Sequence, residues 1–323
     1  MKLKGNMMKK DIYVELLKVF KRKSFIVFLL LIIFITVLLT LFNKSEISDE
    51  IEYLDKLTKE QYPYDDYDNY LKRYGEYEKI NSNEILKKEY ILNNDINIDE
   101  KVKSDLYVSK TIVLFLSIYI IVLSCRSFGY EYDIGTIKLL MLYKNERRKI
   151  VLSKFISLVI ISCLISNLVF FCNALTTIFV HGNIFKFVEL IPIYGNIMEK
   201  PLLIVHTCEY LMLLIPQILL ISISLLMGLL FKSSTISSSI TIFIYLCSSL
   251  ITDLFLQMKI RIIEFSFLPY VDYTIFTNKT SLILYNIENG ININVNTGLI
   301  IIVIYSLFML ILTISIFKKR ELR

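Results

Sequence analysis

Long runs without a charged residue alternate along this chain with short polar stretches. The uncharged runs cover residues 25–42, 111–125, 155–180, 210–231, 233–252 and 291–317. A helix rises 1.5 Å per residue, so roughly 20 apolar residues cross a hydrocarbon core of about 30 Å. The pattern therefore predicts six membrane-spanning helices, at 25–42, 106–125, 155–180, 204–231, 233–252 and 298–317. The second uncharged run is short, and is expected to extend back through 106–109 with Lys110 reaching outward. The expected fold class is an all-α polytopic membrane protein with a small helical extracytoplasmic insertion after the first span.

Between the spans lie a basic segment at 1–24, an acidic cap at 43–110, a connection at 126–154, a segment at 253–297 and a tail at 318–323. In the first, Val14, Leu17, Val19 and Phe20 alternate with Lys18, Lys21, Arg22 and Lys23. That mixture fits a short interfacial helix, or equally a plain basic flank. The first span is too long for a secretory h-region, and Asn43-Lys44-Ser45-Glu46 offers no small-x-small cleavage site, so it is expected to be retained. In the cap, Ile47, Ile51, Leu54 and Leu57 recur at helical spacing, as do Tyr67, Tyr70, Tyr74 and Tyr77. The tyrosine stripe has two readings: packing against a neighbouring helix, the commoner use, or contact with a cargo.

Composition agrees: 323 residues are 55% hydrophobic and 20% charged, with a mean hydropathy of +0.57. A soluble domain carries about 25% charge. The net charge of +6 resolves by segment into +14 on one side of the membrane and −8 on the other. Such an excess in short flanks marks the cytoplasmic side and places both termini there. The Ile-, Lys- and Asn-rich composition is that of an AT-rich bacterial genome, so a bacterial cell membrane is the expected location.

Several chemistries find no residues. No phosphate loop and no Gly-Lys pair occurs in the chain. His181 and His206 are the only histidines, and neither has metal-ligand spacing to another His or Cys. His206 and Glu209 share a helix face, which suits an interfacial polar pair more than an ion site. Cys125, Cys163, Cys172, Cys208 and Cys247 lie in or beside apolar runs and imply neither a disulfide framework nor a nucleophile. Asp253 falls at the outer end of the fifth span, leaving the spans without the buried charges of a proton-coupled transporter. Pro216 is expected to kink or break the fourth span. No catalytic residue, metal site or nucleic-acid partner is expected.

The informative stretch runs from Gly129 to Lys154. Gly135 permits a sharp turn, and Thr136 is placed to cap a helix. Ile137, Leu140 and Met141 then recur at i, i+3 and i+4, giving a short amphipathic helix. Arg147, Arg148 and Lys149 are expected to anchor it at the headgroups. Here the chain resembles the membrane subunits of type-2 ABC exporters. Their pattern of an acidic residue, Gly-Thr, a Leu-Leu pair, an Arg and a Lys is matched by Glu131, Gly135-Thr136, Leu139-Leu140, Arg147 and Lys154. The C-terminal Phe317-Lys-Lys-Arg-Glu-Leu resembles that family's closing motif. One departure is Tyr143-Lys144-Asn145, where the family often has a proline.

The resemblance implies a permease subunit without ATPase activity of its own. ATP and magnesium would be bound by an ABC ATPase subunit in two copies, beside a second or related permease in the bilayer. It makes Glu131, Gly135, Thr136, Ile137 and Leu140 contacts of the motor loop, with Arg147 and Lys154 as membrane-side anchors. An acidic cap and uncharged spans fit export of an amphipathic, cationic peptide or drug. The competing readings are a non-transporting sensor or assembly protein with a ligand-binding cap, and a secondary transporter, which the uncharged spans disfavour.

Overall fold

The apolar runs fold as helices, because in lipid only a helix or a closed barrel satisfies every backbone polar group. The computed structural model describes residues 2–42, 106, 110–142, 147–182, 184–193, 196–258, 260–272, 276, 286 and 293–319. The cap tyrosines Tyr67, Tyr70, Tyr74 and Tyr77 lie outside them. In chain order the main elements are α1 (Lys2–Phe20), α2 (Lys23–Phe42), α3 (Lys110–Asp133), α4 (Ile137–Leu142) and α5 (Arg147–His181). A hairpin of β1 (Val188–Ile193) and β2 (Asn196–Pro201) follows, then α6 (Leu202–Met212), α7 (Leu214–Phe231), α8 (Ser234–Gln257) and α9 (Val295–Lys319).

Six stretches among the described residues are long and apolar enough to span a bilayer: Lys23–Thr40, Lys110–Asp133, Arg147–His181, Leu202–Phe231, Ser234–Gln257 and Val295–Lys319. The chain is thus the expected polytopic all-α membrane protein. Three spans differ in instructive ways. The second span gains length forward, through Arg126 to Asp133. The third begins eight residues early, at Arg147. The expected connection at 126–154 is consequently mostly helix. Charged residues ended the apolar runs, yet Glu131, Asp133, Arg147 and Lys154 find partners on neighbouring helices, so the helices continue. The fourth span is broken: α6 stops at Met212 and α7 starts at Leu214. Pro216 explains the position, since it can offer no N–H to the Met212 carbonyl four residues back, and in the first turn of α7 that N–H is not needed.

The chain divides into two compact units. The first comprises residues 1–33, 110–168 and 210–323. Within it α7 is the central helix, packed against α3, α8 and α9. Its core includes Ile121, Cys125, Leu219, Leu220, Ile223 and Ile302, closed by Tyr270 and Phe276. Hydroxyls inside this bundle bond back along their own helices: Ser224 Oγ donates to the Leu220 carbonyl and Thr241 Oγ1 to that of Ser237. That habit lets an apolar span carry many Ser and Thr. Ser162 Oγ also reaches Gln217 Oε1, joining α5 to α7.

Two glycines set the closest approaches. A Cβ at Gly228 of α7 would sit 2.6 Å from the Cys125 carbonyl oxygen of α3. One at Gly129 would sit 2.6 Å from the Ser234 backbone at the start of α8. Asp133 completes that junction by accepting from both Ser234 N (3.2 Å) and Ser234 Oγ (2.6 Å). It thereby supplies a cap to α8 from another helix.

The second unit comprises residues 34–109 and 169–209. Leu106, Ala174, Ile184 and Leu202 form its buried cluster, and Asn173 Nδ2 donates to the Leu106 carbonyl at 3.1 Å. The hairpin, antiparallel from Val188↔Pro201 to Ile193↔Asn196, was not expected from the sequence. Only two residues, Tyr194 and Gly195, separate its strands, which is the signal that could have revealed it. His206 Nδ1 and Glu209 Oε2 lie 2.6 Å apart on one face of α6, as a polar pair at that spacing should.

Overpacking a close helix contact costs on the order of 1–3 kcal/mol. Gly228→Ala is therefore expected to lower the thermal midpoint of the purified protein in detergent, whereas Ser239→Ala, on an exposed face, leaves it unchanged. Equal midpoints for the two variants would contradict the packing described.

Candidate functional site

At one end of the first unit the chain concentrates its buried charge. Lys154, two turns into α5, has a side chain with 0% exposure. An ammonium in that position needs acceptors on every side. Glu131, in the last turn of α3, provides Oε1 at 2.8 Å, and the Ser127 carbonyl lies at 2.9 Å. Both oxygens of Glu15 on α1 stand at 3.3 Å. The Phe128 ring covers the remaining side, its centroid 5.2 Å from Nζ. Lys18, one turn along α1, donates to Glu15 at 2.7 Å and Glu131 at 3.3 Å. Two carboxylates thus meet two ammoniums, and the cluster is neutral.

Burial opposes ionisation of the Glu15 carboxyl, but Lys154 and Lys18 outweigh it and hold its pKa below the ordinary 4.5. Burial likewise works against the Lys18 ammonium, while Glu15 and then Glu131 hold it above the usual lysine range. A depressed carboxylate contributes stability above its unfolded pKa and loses it as pH falls through the folded value. For the raised lysine the loss comes on the alkaline side.

Seven residues before Lys154, Arg147 opens α5. Its Nη1 donates to the carbonyls of Phe317 (3.2 Å) and Lys318 (2.8 Å), two of the last carbonyls of α9. Those groups have no partner within their own helix and carry its negative dipole end. Phe317 is wholly buried, 5.4 Å from Phe128 between ring centroids, with the Arg147 guanidinium 6.0 Å from its own ring. The terminal Phe-Lys-Lys therefore has a structural partner in the start of α5.

The predicted site residues divide accordingly. Arg147 and Lys154, expected as membrane-side anchors, are buried inside the bundle, since each has acceptors there that lipid could not offer. Glu131 belongs to α3 and to the ion cluster rather than to a loop. Gly135 adopts φ +80°, the left-handed turn that glycine favours. Thr136 does not cap α4: its hydroxyl turns back to donate to the Glu131 carbonyl at 3.4 Å, closing the end of α3 instead. Ile137 is buried and Leu139 is exposed, while Leu140 lies within α4. Glu15, Lys18 and Phe128 were missed. Glu15 could have been noticed as one of two acids among the eight bases of residues 1–24, one turn from Lys18.

Removing one member of a buried ion cluster costs about 3–5 kcal/mol, whereas an exposed pair is worth about 0–1 kcal/mol. Lys154→Met should accordingly destabilise the protein far more than Lys18→Ala. The pair Lys154→Met/Glu131→Gln should recover part of the loss in a double-mutant cycle of thermal midpoints. Below pH 4.5 the wild-type midpoint should fall, and Glu15→Gln should flatten that fall; an unchanged slope would remove Glu15 from the cluster.

Comparison with known proteins accounts for nearly all of this chain. A family model described as "ABC-2 family transporter protein" matches residues 12–322. That range takes in the part of α1 that carries Glu15, the α3–α5 stretch and the Arg147–Phe317 contact. A Bacillus subtilis (strain 168) protein, "Uncharacterized protein YhcI", is 23% identical over 246 residues, covering 73% of this chain and 76% of its own length. Its name adds no activity. The six spans, the family match and its extent together establish that this chain belongs to the ABC-2 transporter family, as a multi-pass membrane permease component.

Proposed function

We propose that the chain is the membrane-spanning subunit of an ATP-driven exporter. It pairs with a second permease, identical or related, and with two ATPase subunits that bind ATP and magnesium. Family membership supports the division of labour. The observation that carries the reading further is the attachment of α4. This short helix joins α3 and α5 beside the cluster in which Glu131, Lys154 and Glu15 tie together α3, α5 and α1. A force applied to α4 by a closing ATPase would reach all three helices. Gly135 and Thr136 set the angle at which α4 leaves α3; Leu139, exposed on α4, is available to a motor with Leu140 next to it in sequence, while the buried Ile137 seats the helix.

The charge partition, +14 against −8, supports a cytoplasmic location for this end and for both termini, and the composition supports a bacterial membrane. The cargo that best fits an acidic outer segment and spans whose middle stretches carry no charge is an amphipathic, cationic peptide or drug.

Purification of the tagged chain from its own membranes should recover a phosphate-loop ATPase. Gly135→Pro and Leu140→Asp should each reduce that recovery, and ATP-dependent export in a reconstituted complex, by about tenfold or more, the loss expected of one key contact. Unchanged recovery and export would end the coupling assignment. Deleting the gene should raise susceptibility to some members of a cationic peptide panel; no change across the panel would remove that cargo class.

A further inference from the structure

Beside the neutral cluster, two positive charges are left over. Arg22, immediately before the first span, and Arg126 of α3 both approach the Tyr130 ring, their guanidinium carbons 5.6 and 5.4 Å from its centroid. Neither makes an ion pair among the described residues. Glu15 and Glu131, the nearest carboxylates lining the same space, are already matched by Lys18 and Lys154. Burial and the neighbouring Arg126 press the Arg22 guanidinium below its ordinary range, so the two like charges share one environment. They border a groove of about 430 Å³, within the usual size range of a ligand site. Its other side is apolar, with Ile134 at 53% and Leu139 at 63% exposure.

A basic wall, an apolar wall and an aromatic ring with a polar tip, all at the membrane end of a span, are what an anionic amphiphile requires. We propose that this groove binds the phosphate headgroup of an anionic phospholipid. The phosphate lies between Arg22 and Arg126, whose planar forks suit its oxygens. The acyl chains pass toward the exposed face of α2, where Ile26, Val27 and Leu30 are more than half exposed. A net charge of +2 is then met by a ligand available at that depth, without drawing Glu15 or Glu131 from their lysines. The inference requires only that the spans lie in a bilayer, and stands apart from the exporter reading.

Native mass spectrometry of the full-length chain in detergent tests it, with titration by dioleoyl phosphatidylglycerol, dioleoyl phosphatidylcholine or glycerol 3-phosphate. The expected result is preferential retention of one phosphatidylglycerol. Affinity should fall by about tenfold for each guanidinium removed in Arg22→Ala and Arg126→Ala. Arg22→Lys/Arg126→Lys, which keeps both charges but loses the forks, should fall between wild type and the double alanine variant. Lys138→Ala/Lys232→Ala should bind as wild type does. Equal loss in that control would overturn the site as mere surface charge. Equally tight glycerol 3-phosphate would make a free phosphate ester, not a lipid, the ligand. Unaltered lipid binding in the double alanine variant with loss of a co-purifying protein would assign the groove to a protein partner instead.

Discussion

A lysine with no access to water constrains everything around it. Lys154 of α5 must keep its acceptors, and they come from two other helices, so the ends of α1, α3 and α5 are fixed relative to one another. Replacing such a cluster with apolar residues is often neutral or stabilising, so its more useful effect is to specify one arrangement among several that apolar packing alone would accept. Arg147, two turns earlier, applies the same demand in reverse, offering donors to carbonyls of α9 that would otherwise lack them. The first eight residues of α5 therefore organise four helices through two side chains.

The spans were legible because their signal is a length, and a length in an apolar run survives any detail of packing. Pro216 was legible as a break, although the break falls three residues earlier, where the missing N–H is felt. What the chain hid were the cases in which a charge belongs to the interior. Arg126, Glu131 and Asp133 look like the start of a loop, yet they are the last turns of α3, because Asp133 caps α8 and Glu131 meets Lys154. Arg147 and Lys154 look like surface basics for the same reason: sequence spacing gives no hint that Phe317, 170 residues away, or Glu15, 139 residues away, supplies the partner. Local chemistry was only half right at Thr136, whose hydroxyl had two helix ends within reach and joined the earlier one. The hairpin lay in a segment whose apolar residues suited helix and strand alike.

The charge partition acquires a mechanical side in the structure. Basic residues crowd one end of the spans, and acids planted among them divide the bases into two kinds. Lys18 and Lys154 are spent internally, holding helices together; Arg22 and Arg126 remain turned toward the groove beside α4. One end of the protein thus combines a rigid junction with an open, positively charged recess.

Gly228 carries a consequence for movement. Because the α7 backbone there touches the Cys125 carbonyl of α3, sliding one helix past the other by a turn would bring Ser224 or Lys232 to a place that accepts no side chain. Gly129 imposes the same interlock between α3 and the start of α8. The three helices form a block that tilts or translates only as a piece. Any alternation of access must then be accommodated at seams elsewhere, and the block itself acts as the lever.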